Sequence, residues 1–335
     1  MDPKTIIRQI LEAVYCGDIF EQNPDSIRTT YHEYAKTIHP DLCQEPVAAE
    51  AFARLSKFYS QALDELAKGT WHQSGRLWLD KNQSVAYRNE KPFELGTRYS
   101  GDGQIIWAFD QGKEKWADRF FQRAVRFPFL DSRMKGLYRN RIPDIEKAMT
   151  TGDGRQAVIL KKDPGEYPMD LFLACYGRTL GGRDIAWMIT RAVDLCCFLY
   201  VCGLTHNGIS AETLYIDPEH HTLHLYGGWQ YMVGLQEKMT GTTRDIYQLI
   251  PSNARTTGMA TPVTDMECVR DLFQTIAKDI QTKAVPKDIL EWINAGSKEN
   301  PILEYERWNR ALDKAYGKRK FQVFSAKADE IYSRH

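Results

Sequence analysis

The sequence predicts an α+β protein: an all-α N-terminal module, then a body that begins rich in strands and ends in helices. Three observations carry this. Apolar residues recur at helical spacing through the first 68 residues, with a proline-bearing break between two of the segments. Two glycine-containing turns, Tyr99–Gly103 and Thr151–Gly154, each precede an apolar run of strand length. After Gly181-Gly182 a long helical period sets in, and helical patterns dominate from Asp265 to Phe324.

Taken in order, Ile6, Ile7, Ile10, Leu11 and Val14 form the first apolar stripe, and Gly17 is expected to close that segment. Asn23-Pro24-Asp25-Ser26 is a helix start, with capping side chains and an early proline. Ile27, Tyr31, Tyr34, Ala35 and Ile38 share the next face. That helix must stop at His39-Pro40, because proline disfavours helical backbone in the residue before it. A third helix follows Pro46, with Phe52, Leu55, Tyr59 and Ala62 or Leu63 inward. From Lys68 to Lys91 no period is sustained, yet Trp71, Leu77, Trp78 and Leu79 are too apolar for a free linker. A semi-ordered connector packed on one body is expected there.

In the body, Ile105–Phe109 and Ala157–Leu160 read as hairpin strands, with a helix at Trp116–Val125 between them. Ile185, Met188, Ile189, Ala192, Val193, Cys196 and Leu199 mark the long helix. Two short strands, Thr213–Ile216 and Thr222–Tyr226, follow it around Asp217–His221.

Composition bounds the function. The chain's 335 residues suggest about two domains. A hydrophobic fraction of 43% with 26% charge fits a soluble protein with a real core. The 44 basic and 44 acidic residues cancel, which argues against a nonspecific nucleic-acid binder. The longest apolar run, near Leu195–Leu204, falls well short of the about 20 residues that span a bilayer. Residues 1–20 lack a signal-peptide pattern. Seven unevenly spaced cysteines suit a reducing compartment, so a cytoplasmic location is expected.

The stretch Tyr31–Asp41, ending His39-Pro40-Asp41, and the following Phe52–Tyr59 resemble the second helix, loop and third helix of a J-domain, the DnaJ-type co-chaperone module. The resemblance implies docking on a 70-kDa heat-shock chaperone through His39, Pro40 and Asp41, with Arg28 and Lys36 on the preceding helix. Read without it, the tripeptide is an ordinary turn, which proline and aspartate favour. Residues 1–70 carry 7 basic and 11 acidic side chains, so electrostatic steering toward an acidic partner is weak.

Gly203–Ile216, within it His206-Asn207-Gly208, resembles a protein-kinase catalytic loop, and Thr222–Trp229 stands where the magnesium-binding segment would follow. Thr264-Asp265 is similar to the family's buried aspartate. The chain thus resembles divergent bacterial and phage kinase-like proteins that carry a J-module. The resemblance places the J-domain at 1–68, a connector at 69–91, a kinase-like N-lobe at 92–180, a C-lobe at 181–324 and a tail at 325–335.

Phosphoryl transfer needs a base, metal ligands and a phosphate-pairing lysine. On this alignment the base position holds Gly208, one metal position Thr213 and the other Gly228, preceded by Gly227. The lysine position falls near Phe109-Asp110 and its glutamate near Ala124, with Lys113 and Lys115 as stand-ins. The turn Tyr99–Gly103 is too poor in glycine to cradle phosphate well. His206 is expected to hold backbone. These positions imply a pseudokinase acting as a binding scaffold for an unidentified protein client, with no catalytic residue, no metal, weak or absent nucleotide binding, and no nucleic-acid or membrane partner.

Two rival readings stay open. An atypical kinase or nucleotide-modifying enzyme would draw on Asp102, Asp110, Glu212 and Asp217. A structural or phage interaction protein would need none of them. Cys196, Cys197, Cys202 and His206 could be drawn as a zinc set, but cysteine in an apolar helix behaves as a core residue. His220, His221 and His224 are expected to face solvent, and Cys43 to be a spectator. Lys318-Arg319-Lys320 is a short basic cluster of the solvated kind.

Overall fold

The computed structural model describes residues 2–69, 71–279, 285–317 and 324–332, so Lys318–Lys320 lie outside the described residues. The chain is α+β and divides into two compact units. The first comprises Met1–Arg88 with Met149–Arg155, the second Asn89–Ala148 with Gln156–His335.

In the first unit, α1 (Pro3–Glu12) is capped by Asp2, whose carboxylate accepts from Lys4 N and Thr5 N. It buries Ile6, Ile7 and Ile10. The apolar stripe does not reach Val14, because the backbone turns extended at Ala13 and leaves Val14 exposed. Gly17 ends no helix either. It sits in a 3-10 turn, Cys16–Asp18, where an added Cβ would meet His72 O and lie 2.9 Å from Gln73 Cβ. α2 (Pro24–Ile38) starts on the Asn23 cap and stops at His39, whose ψ of 130° suits a residue before proline. α3 (Ala48–Lys68) ends on Gly69 at φ 69°.

Ring contacts pair Tyr31 with Tyr59 at 4.1 Å and His39 with Phe52 at 5.2 Å, so α2 and α3 run antiparallel. Ile27, Ile38, Leu55, Phe58 and Ala62 form the core between them. The segment expected to be a semi-ordered connector holds a hairpin, β1 (Arg76–Trp78) and β2 (Ser84–Ala86), with Leu77 opposite Val85. Strands of three residues are too short to show alternation, which is why no period was visible.

The second unit opens with a five-stranded sheet in the order β3-β4-β5-β7-β6. Its strands are β3 (Asn89–Phe93), β4 (Gly96–Ser100), β5 (Gln104–Phe109), β6 (Asp144–Thr150) and β7 (Gln156–Lys161). The pairs β3–β4, β4–β5 and β5–β7 are antiparallel. Between β5 and β6 come α4 (Glu114–Val125), which buries Ala117, Phe120 and Ala124, and the short α5 (Ser132–Tyr138).

The helical half begins after β8 (Tyr167–Pro168) with α6 (Met169–Tyr176) and the central α7 (Gly182–Val201), whose start is closed by Gly181 N donating to Asp184 at 2.8 Å. β9 (Leu204–Thr205) leads to the hairpin β10 (Leu214–Asp217) and β11 (Thr222–Leu225), and β12 (Val233–Gly234) returns to pair with β9. The remaining helices are α8 (Arg244–Leu249), α9 (Ser252–Thr257), α10 (Pro262–Asp279), α11 (Lys287–Asn294), α12 (Pro301–Tyr316) and α13 (Ala328–Tyr332). A buried ion pair, Arg270 to Glu304, joins α10 to α12, and the Arg270 guanidinium lies 3.9 Å from the Trp292 ring centre. Within the expected tail, Ala328–Tyr332 form a packed helix: Ile331 and Tyr332 are buried, and Tyr176 donates to Glu330 at 2.6 Å. Among the described residues no helix is long and apolar enough to cross a membrane.

Candidate functional site

Two candidate sites emerge, one in each unit. In the first, the α2–α3 loop presents His39, Pro40 and Asp41. The Asp41 side chain is 86% exposed, and Asp41 N donates to His39 Nδ1 at 3.2 Å, so the ring folds over the turn that Pro40 stiffens. Phe52 supports the same ring edge-on. Arg28 and Lys36 both stand in solvent on α2, and Cys43 is half-buried behind the loop.

The second site is the set His206, Gly208, Thr213, Gly228 and Asp265, which the fold brings together. Asp265, 2% exposed on α10, organises the loop after β9. Its carboxylate accepts from Thr205 Oγ1 at 2.9 Å, His206 N at 2.7 Å and Asn207 N at 2.8 Å. Burial pushes its pKa up to about 6 against the pull of those donors. Asn207 takes a φ of 56°, a turn that an asparagine tolerates.

Thr213 spends its hydroxyl inside the loop: Oγ1 donates to Gly208 O at 2.8 Å and accepts from Ser210 N at 2.9 Å. His206 is fully buried, edge-on to Trp229 at 5.8 Å. Burial pulls its pKa down to about 3, the Gly227 backbone opposing, so the ring is neutral. Neither ring nitrogen has a hydrogen-bond partner of ordinary geometry, and the backbone that the ring meets is that of Gly227.

The glycines show how full that space is. A Cβ on Gly228 would lie 2.6 Å from His206 Cε1 and 2.9 Å from Gly208 O, and φ there is 77°. A Cβ on Gly208 would lie 3.1 Å from Tyr231 Cδ2 and 3.3 Å from Gly228 O. On Gly227 it would run into the Trp107 ring, with Cη2 at 2.7 Å, and lie 3.1 Å from Thr213 Cα. Trp107, 3% exposed, reaches this point from β5 and is held by Phe93 and Phe120. Trp229 is buried too, its indole N–H donating to Leu225 O at 2.8 Å.

A second plug was not legible in the sequence. Arg98 on β4 is 1% exposed and forks onto both Asp170 oxygens at 3.1 and 3.0 Å, with a further bond to Glu212 O at 2.8 Å. Lys91 joins at 2.8 Å from Asp170 and 3.0 Å from Glu212. Burial alone would raise the Asp170 pKa, but the charges of Arg98 and Lys91 outweigh it and hold the carboxyl below its ordinary range. The network ties β3 and β4 to the start of α6 and to the loop ahead of β10.

At the expected lysine and glutamate positions, Phe109 and Ala124 lie in the apolar core, and Asp110 is exposed. Lys113 precedes α4 and Lys115 is exposed on its first turn. The cation of α4 that does reach the loop after β11 is Arg119, which donates to Gln230 O at 3.0 Å and Thr240 Oγ1 at 2.9 Å.

The carboxylates of the rival enzyme reading are dispersed. Asp102 and Asp110 flank opposite ends of β5, Glu212 meets Lys91, and Asp217 accepts from His220 at 2.7 Å. Cys197 donates to Pro301 O and Cys202 contacts Met134, so the drawn zinc set does not converge. Among the described residues no group of three or more His, Cys, Asp or Glu is arranged to hold a metal ion. His220 is exposed, but His221 and His224 are buried, correcting the solvent-facing expectation. His221 stacks on Trp187 at 4.5 Å, and His224 Nδ1 donates to Asn140 O at 2.8 Å, because β11 faces the core.

No family model matches the chain, and no curated protein matches it. Among solved structures it is similar to that of vaccinia related kinase 3, at 13% identity and a TM-score of 0.49, over 72% of this chain and 91% of that one.

Proposed function

We propose that the chain is a co-chaperone adaptor: a J-domain-like module that recruits a 70-kDa heat-shock chaperone, joined to a protein-kinase-like body that has lost phosphoryl transfer and serves as a scaffold for a client. The kinase-like reading of the body rests on its order, a five-stranded sheet followed by helices with one hairpin after the long central helix. The single observation that carries the inert half is the filled interior. Trp107, His206 and Tyr231 occupy the volume that side chains at 208, 227 and 228 would need. This crowding, tightest at Gly227 and Gly228, supports a body without the usual base and metal ligands, as does the committed hydroxyl of Thr213.

For the recruiting half, the support is an antiparallel helix pair that presents Asp41 to solvent beside a proline-stiffened His39. Steady-state ATP hydrolysis by a 70-kDa chaperone tests it. The full chain accelerates turnover and His39→Gln abolishes the acceleration. Equal rates for the two proteins remove the proposal.

A further inference from the structure

A cleft of about 1000 Å³ opens in the second unit where β7 runs toward α6. Lys135, Arg139, Lys161 and Lys162 with Asp144, Asp163 and Glu166 supply its charged lining. None of His206, Gly208, Thr213, Gly227 or Gly228 lines it, although Tyr226, which precedes Gly227, does.

Lys162 is the unusual group. It is 7% exposed, and its ammonium donates only to carbonyls, Asp102 O at 2.8 Å and Asp163 O at 3.1 Å. An ammonium has three donors, and a buried charge is ordinarily met by an opposite one. Here the direct partners are two carbonyl dipoles, and burial draws the Lys162 pKa down to about 8 against the charges of Glu166, Asp102 and Asp163.

The nearest candidate counter-ion is Glu166, but it is engaged elsewhere. It accepts from Tyr226 Oη at 3.0 Å and Asp163 N at 3.1 Å, and faces His224 Nε2 at 3.3 Å. His224 Nδ1 donates to a carbonyl, so in the neutral ring Nε2 is an acceptor. Burial pushes the Glu166 carboxyl up to about 7, so it is part-ionised at neutral pH and opposes Lys162 only in part. Arg139 is matched by Asp144 at 2.8 Å. What remains is Lys162 inside and exposed Lys161 and Lys135 at the rim, opposed by Asp163, by the part-ionised Glu166 and by the charge of Asp102 on Lys162.

We propose that this cleft binds a small phosphorylated molecule, with Lys162 as the buried anchor and Lys161 and Lys135 as rim cations. Three ammonium groups act as point charges suited to a phosphate dianion. The volume matches small-molecule sites, which run to about 1000 Å³. The scaffold would then be responsive to a metabolite rather than passive.

Calorimetric titration of the full chain with inorganic pyrophosphate, at constant ionic strength, tests the assignment. The wild type binds saturably at one site, and Lys162→Met weakens binding about ten-fold or more, the loss expected for one charge-assisted contact. Methionine suits the buried position, so that variant should fold. If it does not, Lys161→Gln with Lys135→Gln, both on the exposed rim, must weaken binding instead. Absence of saturable binding in the wild type, unchanged affinity in the folded variants, or succinate binding as tightly as pyrophosphate overturns the proposal.

Discussion

Gly227→Ala adds a single methyl where the interior of the second unit is fullest. Gly227 shows no positive φ, so alanine costs nothing in backbone strain and the effect is purely steric. The new Cβ would stand 2.7 Å from Trp107 Cη2 and 3.1 Å from Thr213 Cα, against 3.4–4 Å for ordinary contact. The Thr213 side is backbone, and the indole is pinned by Phe93 and Phe120, so neither neighbour yields cheaply. Overpacking of this kind costs about 1–3 kcal/mol. With a urea slope of about 2 kcal/mol per molar, the midpoint of the affected transition should fall by about 0.5–1.5 M. Trp107→Leu removes the obstructing ring edge at its own cost of about 2–3 kcal/mol. In the double variant the two losses should fall short of additivity by about 1–2 kcal/mol. Far-UV circular dichroism follows the unfolding without depending on the tryptophan being changed. Gly227→Ala within about 0.5 kcal/mol of wild type, or strict additivity with Trp107→Leu, would refute the claim that Trp107 fills this space.

Two further predictions concern the ion pairs. Arg98→Met strands Asp170 with Lys91 alone in a buried setting and should cost about 3–5 kcal/mol by urea unfolding; adding Asp170→Asn should restore part of it. In the first unit, His72 lies between Asp153 at 3.5 Å and Glu65 at 3.2 Å, and hydrogen bonds to them, Asp153 first, raise its pKa to about 9. A raised folded-state pKa stabilises fully below the unfolded value of about 6.5 and is lost as pH climbs through about 9. The stability gap between wild type and His72→Gln should therefore be wide at pH 6 and shrink by pH 10. A gap that widens with pH contradicts the assignment.

The legible parts of this protein were those with local chemistry. Asn23-Pro24 and His39-Pro40 bracket α2 because capping and proline geometry act within a few residues. The long apolar period of α7 reads directly as a buried helix. β3 is not legible in the sequence, because Pro92 interrupts it and only Phe93 is strongly apolar, which an edge strand tolerates. The expected meeting of His206, Gly208, Thr213, Gly228 and Asp265 came from motif order, whereas Arg98 and Asp170 lie 72 residues apart with no spacing to link them. Trp107 looks like any core residue in an apolar run, and only its approach to Gly227 distinguishes it. The turn-rich neighbourhood of His224 reads as solvent-facing and hides which way β11 faces.

The loss of phosphoryl transfer is tested most directly by incubating the full chain with γ-labelled ATP, magnesium and a generic protein acceptor. The account predicts no label on the chain or the acceptor above a protein-free control. Transfer of label, above all transfer that vanishes on Asp217→Asn, would contradict it.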